Sequence, residues 1–167
     1  DYRDACAAML QQFGQSGASE MCETARACNL QPDRPGDPAV PLGLAERAVG
    51  LLPNRQWMRY VLGMAHYRAG QYEDAARQFH KSLAVDPNWY VRHLNWFGLA
   101  MVHQQQGDAE KAGQWFEMAV DRMTTLGDKR LTQDWLEEQV RWREAERLLG
   151  TPDARPMSSS PAEVSSD

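Results

Sequence analysis

The chain has 167 residues, 43% of them hydrophobic and 25% charged, with a formal net charge of −5 and a pI near 5.4. That length accommodates one domain whose core needs no disulfide or metal to staple it. The acidic balance argues against nucleic acid, which calls for lysines and arginines gathered on one surface, and no apolar run approaches the ~18 residues of a membrane span.

Helical periodicity runs through the chain, interrupted by turn residues, and nothing alternates as a strand does. A first pair of helices is expected over about 2 to 14 and 18 to 31, stopped by Gly14 and Pro32. The stretch QPDRPGDPAVP, residues 31 to 41, is a connection, because its prolines remove the donors a helix needs. A third helix follows over about 40 to 52 and a fourth over 55 to 69, with Gly70 placed to close it in the left-handed conformation. The fifth covers about 72 to 85, and Asp86 with Pro87 ends it. NWYVRHLN, residues 88 to 95, leads into a sixth ending near Gln106, after which Gly107 turns the chain and Asp108 caps a seventh over 109 to 126. The eighth spans about 132 to 149. Trp135, Leu136, Val140, Trp142, Leu148 and Leu149 are expected to form its apolar face, while Glu137 and Glu138 lie on a solvated one. Residues 151 to 167, rich in serine and proline, are expected to be a disordered tail after a domain of residues 1 to 150.

Two of these helix pairs share an outline. Gly70, Ala75, Phe79 and Ser82 recur as Gly107, Ala112, Phe116 and Ala119, each 37 positions later, and Leu62 recurs as Leu99. Small alanines five residues after the turn glycine let antiparallel helices approach, and the phenylalanine fills the space one turn deeper. The segment LGMAHYRAGQYEDAARQFHKSLAVDP, 62 to 87, resembles the tetratricopeptide repeat family, and LAMVHQQQGDAEKAGQWFEMAV, 99 to 120, resembles a second copy with Ala100 in the place of Gly63. LAERAVGLLP, 44 to 53, is similar to the end of a degenerate earlier copy. The resemblance implies an all-α solenoid of antiparallel helix pairs, a right-handed superhelix capped by the eighth helix.

A broader resemblance covers most of 2 to 149. The order YRDACAAMLQQFG, ARACNLQPD, LAERAV, the full repeat, GLAMVHQQQGDAEKAGQWFEMAV and WREAERLL is similar to C-terminal regions of large planctomycete proteins that carry a serine/threonine kinase domain or WD-type repeats. No kinase motif is present in this chain. The absence of an initiator Met before Asp1 fits a piece of a longer protein.

The fourth helix is apolar on more than one side. Trp57, Tyr60, Met64 and Tyr67 make a second stripe at spacings of three and four, with Arg68 at its end placed to meet a carboxylate. The next repeat sets Phe97, Met101 and Gln104 beside it. In the family such a stripe lines the concave groove that takes a peptide, which makes these eight residues the candidate binding site; the alternative is that neighbouring helices of the same chain cover them. Four exposed side chains would bring about 6 to 12 kcal/mol of gross burial, set against about 4 to 15 kcal/mol for association, so a partner of micromolar or weaker affinity is expected. Tyr60, Met64 and Tyr67 stand where related grooves use Lys and Asn to grip a terminal carboxylate, which favours apolar or aromatic ligand segments.

No residue pattern points to catalysis, a metal or a cofactor. His66 and His103 are equivalent positions of successive repeats facing their own helix pairs; His80 lies on an outer face and His93 in a connection, and no HExxH motif occurs. Cys6, Cys22 and Cys28 fit neither a zinc ribbon nor a CxxC pair and are expected as reduced, buried thiols of a cytoplasmic protein. The expected function is protein or peptide binding, with homodimerisation or regulation of an attached kinase domain as alternatives.

Overall fold

The computed structural model describes residues 2–13, 16–31, 37–125 and 133–150. The tail expected to be disordered, 151–167, lies outside the described residues, as do residues 32–36 of the proline-rich connection. Among the described residues every regular element is an α-helix: α1 (Tyr2–Phe13), α2 (Ala18–Cys28), α3 (Ala39–Leu51), α4 (Gln56–Arg68), α5 (Tyr72–Val85), α6 (His93–Gln105), α7 (Ala109–Thr125) and α8 (Gln133–Leu149). The turn residues therefore mark the helix ends to within a few positions.

The two matched turns are built identically. Gly70 and Gly107 have φ of 74° and 80°. The amide after each glycine reaches back to a histidine carbonyl, Gln71 to His66 at 2.9 Å and Asp108 to His103 at 2.9 Å, while the glycine amides bond Tyr67 and Gln104. This double closure satisfies carbonyls that a helix end otherwise leaves unbonded, and only glycine adopts its backbone conformation without a Cβ penalty. Asp108 then caps α7, its carboxylate accepting the Lys111 amide at 3.2 Å.

Each helix packs chiefly on its successor across these turns: α4 on α5, and α6 on α7. In the same way α2 packs more extensively on α3 than on α1, so the earliest repeat-like pair is α2 with α3 rather than α1 with α2. Helices α2, α4 and α6 also touch one another in series, whereas α3, α5 and α7 do not. The first set is thus an inner layer and the second an outer one, the arrangement of an all-α helical-repeat solenoid. Ala75, Phe79, Ser82, Ala112, Phe116 and Ala119 are all buried in the seams, as are Leu62 and Leu99. Ser82 uses its hydroxyl to donate to the Gln56 carbonyl at 2.7 Å, so its polar group is satisfied inside the seam.

Phe79 also joins one repeat to the next. A Cβ added at Gly63 of α4 would meet the Phe79 ring at 2.6 Å, and one added at Gly98 of α6 would meet it closer still. The ring is fully buried between two helix backbones that come this close because neither carries a side chain there.

Helix α8 caps the last pair by packing on α6 and α7. It does not stack as a further outer helix. Its charged side chains extend across the inner layer to α2 and α4.

Candidate functional site: the inner face and the helix that occupies it

On α4, Tyr60, Met64 and Tyr67 are buried, and Trp57 is partly buried. On α6, Phe97 and Met101 are buried and Gln104 is half-buried. Of the two alternatives left for the α4 stripe, cover by the same chain holds at Tyr60, Met64 and Tyr67, while Trp57 stays partly exposed. Phe97 faces its own pair: its ring lies 5.9 Å from Phe116 of α7 and 6.2 Å from His93. Tyr67 packs against Tyr72 at 5.7 Å, with the Arg68 guanidinium 5.5 Å above its ring. Burial, the chief cause, pushes the Tyr67 hydroxyl up to about 12.

Over Tyr60 and Arg68 lies α8, and its inward face is ionic. Glu137, Glu138, Arg141 and Glu144 are buried together with Trp142 and Ala145, while Trp135 and Leu136 are about half exposed. Both sequence expectations for this helix are corrected here, since Glu137 and Glu138 are enclosed and two of the expected core residues face outward. The reason is the chemistry of the inner layer, which offers α8 the Arg26 and Arg68 cations, matched by carboxylates, and backbone carbonyl oxygens, matched by the Arg141 donors.

Arg141 is at the centre and fully buried. It donates to the backbone carbonyls of Asn29 at 3.0 Å and Leu30 at 3.1 Å, at the end of α2, and to the Tyr60 hydroxyl at 3.2 Å. It also pairs with Glu144 at 3.1 Å and Glu137 at 3.4 Å on its own helix. Glu137 accepts from Arg26 of α2 at 2.6 Å and from the Tyr60 hydroxyl at 2.7 Å. Glu144 is held two-pronged by Arg68, so the carboxylate that this arginine meets here belongs to its own chain. Arg26 additionally bonds Asp134 at 2.8 Å. On the α6 side, a Glu138 carboxylate oxygen lies 3.0 Å from His93 Nε2, both residues buried. His93 therefore begins α6 inside the fold, not in an exposed connection.

The electrostatics follow from this crowding. Burial is the largest single influence on Glu144 and raises its pKa, but the Arg68 hydrogen bonds and the Arg141 charge outweigh it and hold the carboxyl below the usual glutamate range. Burial drives the Tyr60 hydroxyl well above the tyrosine range, with the Glu137 charge adding to it. Tyr60 thus stays protonated, donating to Glu137 and accepting from Arg141.

Sequence reasoning passed over Arg26, Arg141 and Glu144 and set Glu137 on a solvated face. Their signal was present as a charged stripe: Glu137, Arg141 and Glu144 fall at i, i+4 and i+7, one face of a helix, with alternating sign. Apolar periodicity alone does not detect it.

Two clefts flank this contact. One, of about 170 Å³, is lined by Trp57, Tyr60, Trp89, Tyr90 and Leu94 with Arg26, Asp134 and Glu137. The other, of about 480 Å³, lies between Met9, Ala27, Leu30 and Leu136. Among the described residues no group of three or more His, Cys, Asp or Glu is placed to hold a metal ion, and no helix is long and apolar enough to cross a membrane.

Residues 60–124 match the family model for the tetratricopeptide repeat. Among solved structures the chain is similar to the Sgt2 TPR domain from Aspergillus fumigatus, at 16% identity over 90% of this chain and 89% of that one, with a TM-score of 0.55. Likeness at that identity speaks for the fold alone. No curated protein matches. The segment from Tyr60 to Thr124 thus resembles the tetratricopeptide repeat, within a chain whose fold is an all-α solenoid of helix pairs.

Proposed function

We propose that the chain is a protein-interaction module, without catalysis of its own, that engages a partner polypeptide on the inner face of the solenoid. The observation that carries this reading is the aromatic cleft at the N-terminal end of α8, where Trp57, Trp89 and Tyr90 stay partly or largely exposed beside the charged Arg26 and Asp134. Aromatic side chains rimmed by a few charges are the composition of a recognition surface, because they bring large buried area with little entropy to lose. Of the eight candidate residues, Trp57 and Tyr60 line this cleft, Trp57 partly exposed and Tyr60 buried; Met64, Tyr67 and Met101 are buried within the chain.

Cross-linking of the intact chain to proteins of its source cells, compared with Trp57→Ala, tests the reading. A partner cross-linked to residues around the cleft and lost from the variant supports it, whereas equal recovery with both chains removes the cleft as the site. The wider sequence resemblance extends the proposal to an interaction arm of a larger bacterial signalling protein, including a regulatory extension of a kinase domain.

Self-association is the second reading. Tyr90, Trp135 and Leu136 are all about half exposed, and Tyr90 bonds Asp134 at the start of α8. Light scattering over a range of concentrations decides it: a mass that doubles, and reverts in Trp135→Ser, supports a dimer.

A further inference from the structure

Two features set α8 apart from the other helices. Its contact with α2 and α4 is made through its side chains: among the described residues none of its Cα atoms comes within 8 Å of theirs. Four of its buried residues are ionisable, whereas the seams of α4 with α5 and α6 with α7 are built chiefly from Leu, Ala, Gly and Phe, with Ser82 as a buried hydroxyl. Buried ion pairs add specificity more than net stability, since desolvation offsets most of their attraction. An ionic, side-chain-mediated contact has the character of a bound ligand.

We infer that α8 is a tethered occupant of the inner face, and that the face receives from a partner an amphipathic helix of the same charge pattern: two carboxylates seven residues apart, with an arginine between them. This rests on the interaction reading above and names its partner chemistry. The match is charge by charge. When α8 leaves, Asp134, Glu137, Glu138, Arg141 and Glu144 leave with it. The wall keeps Arg26 on α2 and Arg68 on α4 as cations, and the Asn29 and Leu30 carbonyls as acceptors. Seven helical residues span about 10 Å, which sets two carboxylates on one face two turns apart. An arginine at the fourth position stands between them, where it meets the carbonyls and relieves the repulsion between the two acids.

The test uses the intact chain and a fluorescent peptide of residues 133–149. Glu137→Gln/Glu144→Gln loosens the tethered copy while leaving every wall residue in place. The double variant should bind the peptide at least ~10-fold more tightly than the unaltered chain does, and a peptide carrying the same two glutamines should bind neither; equal binding by both chains, or equal binding of both peptides, overturns the inference. Should the double variant unfold, hydrogen exchange of the unaltered chain answers instead. Amides of α8 at least ~10-fold less protected than those of α4 and α6 support a helix that leaves on its own, and amides that open only together with α4 and α6 overturn it. A partner cross-linked at the Trp57 cleft while α8 stays fully protected overturns this inference and leaves the interaction reading standing.

Discussion

At the scale of residues, the contact of Phe79 with Gly63 and Gly98 explains why adjacent repeats hold together. The ring occupies the place that two Cβ atoms would take, so α4 and α6 approach across it with no side chain of their own. Alanine at either glycine raises helix propensity by about 1 kcal/mol, yet overpacking a fully enclosed ring costs about 1 to 3 kcal/mol. Gly98→Ala, the tighter of the two, should therefore lower stability in urea unfolding. An unchanged or raised midpoint would mean that Phe79 has room to move. Pairing Phe79 and Phe116 with turn glycines and small alanines was legible in the sequence, because these residues recur at a fixed interval. The wedge was not, since Gly63 and Gly98 are not equivalent positions and meet only once two repeats have packed.

At the scale of elements, α8 shows how a periodic pattern misleads when the wall it meets is polar. Counting apolar residues turned Trp135 and Leu136 inward, yet the fold turns Glu137, Glu138, Arg141 and Glu144 there, because Arg26, Arg68 and two carbonyl oxygens await them. This dependence on ionised carboxylates gives α8 a pH signature. Glu144, depressed in the fold, contributes stability that is fully present above its unfolded value near pH ~4.3 and is lost as the pH falls through the lower folded value. Glu23, whose carboxyl is raised chiefly by burial, acts with the opposite sign, losing an unfavourable charge as it protonates. Hydrogen-exchange protection of α8 should decline below about pH 4.3, ahead of α4 to α7, with Glu144 outweighing Glu23 because its pairs are shorter and more deeply enclosed. Protection that stays level with α4 to α7 down to acid unfolding would refute that role for Glu144.

At the scale of the whole molecule, the three cysteines report on how the solenoid opens. Cys6, Cys22 and Cys28 are free and buried, and burial first of all drives the Cys22 thiol far above its ordinary range, so it is a poor nucleophile while the fold holds. Alkylation followed by mass spectrometry should find Cys22 at least ~100-fold slower in the native chain than in urea, the ratio expected for an opening of a few kcal/mol. Comparable rates would show α2 to be loosely docked. The sequence by itself determined the helices, their ends and the paired packing of α4 with α5 and α6 with α7, because turn glycines, prolines and apolar spacing act over a few residues and need no distant partner. Only the tertiary structure decided that the aromatic stripe of α4 is closed and that α8 closes it with charges. That outcome depends on Arg26, Arg68 and the carbonyls at the end of α2, groups up to 112 positions from the side chains they meet, and local periodicity carries no record of which wall a helix will face.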